Sequence, residues 1–281
     1  MYRVMRKEQL AMTPLIVKLE VEAPAVADKV EPGQFIILRI DEIGERTPFT
    51  VMDFDRVRGT ITIAIQNVGY TSSRICQMNV GDGFLDVVGP LGIPTEIKYY
   101  GKVVCIGAGL GTAPIYPISR ALKAAGNHVV AIIGGRTREL VILENEMISV
   151  SHEHIITTDD GSRGLKGFLS HGLEHYLSQG KHVDIIWAIG PMPMMKSIAD
   201  YTRPKKIKTI VSINPIMVDG TGMCGACRVS VGNETKFACV DGPEFDAHLI
   251  DFDLALQRLA FYRDEEKRAL TRLEFRKEGL Q

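Results

Sequence analysis

KVVCIGAGLGTAP, residues 102–114, decides how the chain is read. A short apolar run, Val103 to Ile106, meets glycines at 107, 109 and 111. The following TAPIYPISRALKAAG (112–126) has helical patterning and stops at a glycine. Strand, glycine turn and helix together open a parallel α/β unit. Toward the C-terminus, HVVAIIGGR (128–136), EHIITTDDG (153–161) and VDIIWAIGP (183–191) are further apolar strands with helical spacers. A doubly wound parallel sheet is therefore expected over residues 98–208.

Toward the N-terminus the pattern differs. FIILRI (35–40), GTITIAIQNV (59–68) and GFLDVVG (83–89) are short runs separated by the turn signals EPGQ, DRVRG and NVGDG. That spacing is expected of a small antiparallel β-barrel over residues 1–97. Residues 209–281 form a third segment. Short strands (TIVSIN, CRVSVG, TKFACV) lie among glycines, followed by DFDLALQRLAFYRDEEKRALTRLEF (251–275). There Leu256, Leu259, Ala260, Leu270 and Leu273 approach helical spacing, and a terminal amphipathic helix docked on the protein is expected.

Composition narrows the class. Of 281 residues 45% are hydrophobic, and the formal charge is −1, so no basic excess points to nucleic acid or an anionic membrane. The opening MYRVMRKEQLAMTPLIVKLEV has no apolar run after its charges, and nowhere do 18 apolar residues follow one another. No signal peptide or membrane span is expected. Five cysteines, three of them clustered, fit a reducing cytoplasm better than a disulfide scaffold.

That cluster lies in MVDGTGMCGACRVSVGNETKFACVDG (217–242), where Cys224, Cys227 and Cys239 are spaced C-x2-C-x11-C. Iron–sulfur and structural zinc sites both take four ligands, and C-x2-C serves either metal. Cys105 sits in an apolar strand and Cys76 in the barrel segment, so neither suits as the fourth.

Gly107, Gly109, Gly111 and Thr112 have the chemistry of a phosphate turn at a helix N-terminus. The G-x-G-x-G spacing is not the Rossmann fingerprint, and Arg136 rather than an acid follows the second strand. Asp159 and Asp160, in TTDDGS, and Gly190, in GPMPMM, fall where parallel strands end. Asp159 or Asp160 has the chemistry to accept a ribose or carboxamide hydrogen bond, and equally to make a polar turn. In ERTPFT, Arg46, Pro48, Phe49 and Thr50 offer a cation, a rigid turn, an aromatic face and a hydroxyl. Gly69, Thr71 and Ser72 offer a phosphate-binding type of turn. No residue reads as a catalytic acid or base, and His152 and His154 read as solvated loop histidines.

In the order PGQF, RTPFT, GYTSS, GPLG, GAGLGTAP, TTDDGS, GPMPMM and cysteine loop, the chain resembles the ferredoxin–NADP reductase superfamily. The match is to its branch with a C-terminal 2Fe–2S segment. That branch includes the electron-transfer subunit of dihydroorotate dehydrogenase, the β subunit of sulfide dehydrogenase, and the small subunit of NADH-dependent reduced ferredoxin:NADP oxidoreductase. The resemblance implies an FAD-binding barrel, an NAD(P)-binding α/β domain and a cluster near the flavin. It places Arg46, Pro48, Phe49, Thr50, Gly69, Thr71 and Ser72 at FAD. Gly107, Gly109, Gly111, Thr112, Asp159, Asp160 and Gly190 would lie at the nicotinamide dinucleotide. One departure is that Arg46 and Phe49 stand one residue further apart than in the superfamily's R-x-[FY]-[ST]. The dihydroorotate branch carries C-x4-C-x2-C-x11-or-more-C, whereas this chain reads D-x4-C-x2-C-x11-C, making Asp219 the fourth ligand by position. A carboxylate there is associated with the ferredoxin:NADP oxidoreductase type.

The implied activity is an oxidoreductase subunit that exchanges electrons between NAD(H), or NADP(H), and FAD. It would relay single electrons through a 2Fe–2S cluster to a larger iron–sulfur flavoprotein in a heterodimer. Flavin-based bifurcation would link NADH, NADP and, indirectly, ferredoxin. The rival readings are a sulfide dehydrogenase subunit, a dihydroorotate dehydrogenase electron-transfer subunit and, in another class, a zinc-stabilised nucleotide-binding regulator.

Overall fold

A computed structural model describes the backbone of residues 1–277 and the side chains of residues 1–272. The first seven strands form one antiparallel sheet: β1 (Tyr2–Met12), β2 (Leu15–Glu22), β3 (Phe35–Arg39), β4 (Thr47–Asp55), β5 (Thr60–Gln66), β6 (Gly83–Phe84) and β7 (Asp86–Leu91). Their order is β6-β1-β2-β5-β4-β3-β7, so the two edges are consecutive in the chain with only Leu85 between them. The sheet curls back on itself as a nearly closed barrel. Alternate residues fill it: Val17, Leu19, Val21, Ile36, Leu38, Ile61, Ile63 and Ile65 form one buried cluster. α1 (Pro24–Ala27) covers one side, and α2 (Tyr70–Gln77) follows β5 where a turn was expected.

The second sheet has the order β11-β10-β9-β8-β12-β13-β16. Its strands are β8 (Lys102–Ala108), β9 (His128–Gly135), β10 (Glu153–Thr158), β11 (Leu165–Lys166), β12 (Ile185–Ile189), β13 (Lys208–Ser212) and β16 (Glu244–Asp246). All neighbours are parallel except β13 and β16. Helices α3 (Thr112–Ala124), α4 (Glu144–Ser149), α5 (Leu169–Ser178) and α6 (Met192–Thr202) connect them. Burial on both faces explains the unbroken apolar runs read in the sequence. The chain runs from β8 outward to β11, then returns to β12 on the other side of β8. This creates a switch point between β8 and β12.

Residues after 208 are not a separate layer. TIVSIN supplies the parallel strand β13, and β16 adds the antiparallel edge. The hairpin β14 (Arg228–Val231) and β15 (Glu234–Phe237) forms a separate two-stranded sheet flanked by the cysteines, Cys224 and Cys227 before it and Cys239 after it. The terminal segment forms two helices, α7 (Phe252–Leu259) and α8 (Arg263–Lys277), rather than one. α7 buries Phe252 and Ala255, and the charged run Arg263 to Arg268 that follows has no apolar side to bury. Leu270 is half-buried in α8, which lies beside α2, and the Leu273 side chain falls outside the described residues.

Barrel and second sheet meet through Ala11, Ile16, Met52 and Ala64 against Ala113, Ile142 and Leu143. Arg120 donates to Asp53 across this seam at 2.7 Å. Among the described residues no helix is long and apolar enough to cross a membrane.

Candidate cofactor sites

The cysteine loop rests on the barrel. Gly220 has φ +77°, and a Cβ there would stand 2.7 Å from Ile37 Cδ1 and 2.8 Å from Leu91 Cδ1. Only a glycine permits this turn at this distance. Cys227 and Cys239 are buried, and their sulfurs lie 3.2 Å apart. Burial first, then the Cys227 thiol, pushes the Cys239 thiol up to about 12, so Cys239 needs a metal cation to draw it into the thiolate form. Cys224 is exposed. Its N–H donates to Asp219 Oδ2 at 3.1 Å, while the Thr221 N–H donates to Asp219 Oδ1 at 2.9 Å. The Thr221 N–H above all, followed by Cys224, holds the Asp219 carboxyl below the usual range.

The four expected ligands thus fall into a buried pair, Cys227 with Cys239, and a surface pair, Asp219 with Cys224. Among the described residues no three His, Cys, Asp or Glu side chains gather to hold one metal ion. Two pairs suit a binuclear cluster, in which each iron takes two protein ligands. A tetrahedral zinc site instead needs four donors about one point.

The expected flavin residues lie along β4 and at the start of α2. In the β3–β4 ladder Phe35 faces Thr50, Ile36 faces Phe49 and Ile37 faces Pro48. Ile36 and Phe49 belong to the barrel cluster, whereas Phe35 and Ile37 belong to the cluster that includes Cys227 and Cys239. Pro48 and Thr50 are therefore on the outer face, and the half-buried Phe49 packs inward. Arg46 is exposed just before β4. Gly69 caps α2, and Ser72 Oγ accepts from the N–H of Gly69 at 2.8 Å and of Val68 at 3.1 Å. Thr71 donates its hydroxyl to Glu45, joining this helix start to the segment that holds Arg46.

The expected nicotinamide residues share the carboxyl edge of the second sheet. Gly107 is the penultimate residue of β8, and a Cβ on it would press on Thr112 Cα at 2.8 Å. A Cβ on Gly111 would meet Ile189 O at 2.2 Å and Gly190 Cα at 2.9 Å, so the loops after β8 and β12 touch at the switch point. Gly109, at φ +52°, has no atom within 4 Å of its Cβ position. It leaves an open approach above the start of α3. Thr112 is buried, with its hydroxyl 3.4 Å from Gly107 O.

Asp159 and Asp160 form the turn directly after β10, two strands away from β8 and so about 10 Å along the edge. Their roles differ. Asp160 Oδ1 accepts from Ser162 N at 2.9 Å and Ser162 Oγ at 2.6 Å, and Ser162 Oγ accepts from Arg138 N at 2.8 Å. Asp160 and Ser162 thus brace the turn. Asp159 is exposed beside the end of β9, its N–H bonded to Gly135 O at 3.2 Å, next to the exposed Arg136. Sequence reasoning did not separate these two acids, because the hydrogen bonds that distinguish them come from the folded turn. His152 and His154 lie at the opposite, amino edge of the sheet.

Fold and sites together define a reductase of the ferredoxin–NADP reductase type with an iron–sulfur segment. The family described as the iron–sulfur cluster binding domain of dihydroorotate dehydrogenase B matches residues 214–251. The dihydroorotate dehydrogenase B (NAD(+)) electron transfer subunit homolog of Thermotoga maritima is 45% identical, over 88% of this chain and 87% of that protein. An uncharacterized protein of Clostridium beijerinckii is 44% identical over 98% and 95%. The electron transfer subunit of Geobacillus thermodenitrificans is 32% identical over 82% and 90%. The chain belongs to this family of dihydroorotate dehydrogenase B-type electron-transfer subunits and their homologues. A chain of the NADH-dependent reduced ferredoxin-NADP oxidoreductase structure, solved in the context of flavin-based electron bifurcation, superposes with TM-score 0.92. It is 41% identical, with 97% of this chain and 98% of that chain covered. Phthalate dioxygenase reductase, at 16% identity and TM-score 0.60, shares the fold.

Proposed function

We propose that the chain is the electron-transfer subunit of a heteromeric oxidoreductase acting on NAD(P)H. The observation that carries this reading is the seat of Gly220 on Ile37, whose ladder partner is Pro48. The cysteine loop and the expected flavin strand thereby share one rung of the barrel. When bound, FAD exchanges a hydride with nicotinamide and single electrons with a 2Fe–2S cluster.

The chain's own task is placement. Arg46 and the start of α2 (Gly69, Thr71, Ser72) offer a cation and a helix N-terminus to the flavin phosphates. Pro48, Phe49 and Thr50 form the strand on which the ring system would lie. Gly107, Gly109, Gly111 and Thr112 admit the nicotinamide pyrophosphate, with Gly190 closing the site from β12. Asp159 supports NADH, because a carboxylate at a strand end accepts a ribose hydroxyl and repels a 2′-phosphate. Arg136 alone would favour NADPH. Asp219, Cys224, Cys227 and Cys239 hold the cluster. No general acid or base is assigned. Residues 1–97, 98–208 and 209–281 divide these tasks, although β13 and β16 physically belong to the second sheet.

The likeness to the NADH-dependent ferredoxin-NADP oxidoreductase chain supports a larger iron–sulfur flavoprotein as partner and bifurcation among NADH, NADP and ferredoxin as the reaction. Five free cysteines suit a reducing cytoplasm. The match at residues 214–251 favours a second reading, a dihydroorotate dehydrogenase subunit, which Asp219 in place of the first thiolate opposes. Anaerobic purification with the native partner tests both. We expect flavin and 2Fe–2S absorption, bleaching with NADH, and a copurifying iron–sulfur flavoprotein. A colourless, zinc-containing protein would overturn the proposal, and a copurifying dihydroorotate dehydrogenase would establish the second reading.

A further inference from the structure

Glu244, on β16, is an acid for which the proposed chemistry has no use. Its carboxyl group is held from two sides: Thr95 Oγ1 donates to Oε1 at 2.6 Å and Trp187 Nε1 donates to Oε2 at 3.1 Å. Thr95 lies on the connection leaving the barrel, Trp187 in the middle of β12, and Glu244 just after the cysteine loop. Thr95 and Trp187 are both buried. Enclosure of the carboxyl end raises its pKa. The residue lines a 240 Å³ cleft that also meets Tyr100, Lys208 and Asp241.

The barrel closes on the same point through the PGQF turn. A Cβ on Gly33, at φ +87°, would stand 2.3 Å from Thr95 Oγ1 and 3.2 Å from Glu244 Oε1. Thr95 N donates to Pro32 O at 2.9 Å, Gln34 Nε2 donates to Gly92 O at 2.8 Å, and Ile93 N donates to Gly242 O at 2.6 Å. Phe35, the next residue, starts β3, the strand under Gly220. One carboxyl group thus touches the approach to the flavin strand, the nicotinamide sheet and the tail of the cysteine loop.

We propose that Glu244 is a positioning residue that fixes the cysteine loop relative to the flavin strand and the nicotinamide sheet together. The three attachments are not equally dependent on it. β12 is gripped on both sides by β8 and β13, and β3 by β4 and β7. β16 is a three-residue edge strand with β13 as its single strand neighbour, and beyond that ladder the Glu244 carboxyl group ties it to Thr95 and Trp187. Loss of the carboxyl group therefore moves the cysteine loop and leaves the nicotinamide site in place. Removal also leaves Thr95 and Trp187 as buried donors without an acceptor.

This inference rests on the proposed function, and its test is an anaerobic rapid-mixing experiment on the cofactor-loaded protein with NADH. Flavin reduction is followed by absorbance and cluster reduction by freeze-quench EPR. In Glu244→Ala we expect cluster reduction to slow by about tenfold while flavin reduction stays within about twofold, the scale of a sub-ångström displacement of reacting groups. Glu244→Gln accepts from Trp187 and donates to Thr95, so it should restore the wild-type rate. Thr95→Val, which removes one contact, should slow cluster reduction selectively and serves if Glu244→Ala does not fold. Unchanged cluster reduction in these variants, equal slowing of both steps, or failure of Glu244→Gln to rescue would overturn the inference. Wild-type protein without flavin or cluster signals would instead overturn the function on which it rests.

Discussion

Cys227 and Cys239 hold their sulfurs 3.2 Å apart on the buried side of the cysteine loop, although twelve positions separate them in the chain. Replacing either with serine should abolish the 2Fe–2S absorption and EPR signal, because no other described cysteine lies in this loop except the exposed Cys224. Asp219→Cys should keep the cluster and change its EPR g-values and midpoint potential, since ligand charge and surroundings set cluster potential. An identical spectrum and potential in Asp219→Cys would remove Asp219 from the ligand set.

Nicotinamide selectivity should reside in one of two adjacent acids. Asp159→Asn should raise kcat/KM for NADPH relative to NADH by about tenfold, equivalent to about 1.4 kcal/mol, through loss of repulsion toward a 2′-phosphate. Asp160→Asn should shift this ratio far less, because its side chain faces Ser162 within the turn. Steady-state kinetics with both dinucleotides separate the two.

The switch point makes a stability prediction. Gly111→Ala forces a methyl group to within 2.2 Å of Ile189 O and should destabilise the protein by about 1–3 kcal/mol, as overpacking does. Gly109→Ala meets open space and should cost only the roughly 1 kcal/mol of a left-handed backbone. Thermal denaturation should place the two variants in that order.

Acid stability should depend on the amino edge of the same sheet. The Lys181 ammonium, then His128, hold Glu153 down at about 2. Its unfolded value is higher, so between the two the unfolded chain binds more protons and stability rises with pH. The contribution is complete above the ordinary glutamate range and is lost as pH falls through about 2. In urea titrations from pH 6 downward, Glu153→Gln should lose less stability than wild type over that interval.

Local chemistry was readable where neighbouring residues determine it. The apolar run into Gly107, Gly109 and Gly111, the hairpin turns and the C-x2-C-x11-C spacing each describe a structure made within a few residues of chain. Long-range relations were not. TIVSIN reads as a strand of the cysteine segment, yet its partner is β12, and strand pattern does not name the neighbouring strand. Glu244 looks like one more loop acid, since its donor Thr95 lies 149 positions away. The helical pattern after Asp251 was correct in kind, but periodicity does not show that the chain breaks between Leu259 and Arg263. Arg46 and Thr71 were paired through resemblance, and the bond from Thr71 to Glu45 supplies a physical reason for their approach.

The seat of Gly220 on Ile37 also bears on the order of assembly. The barrel strand is made early and the cysteine loop late, and domains of a growing chain fold in sequence from the N-terminus. The surface against which the loop closes therefore exists before the loop's cysteines emerge.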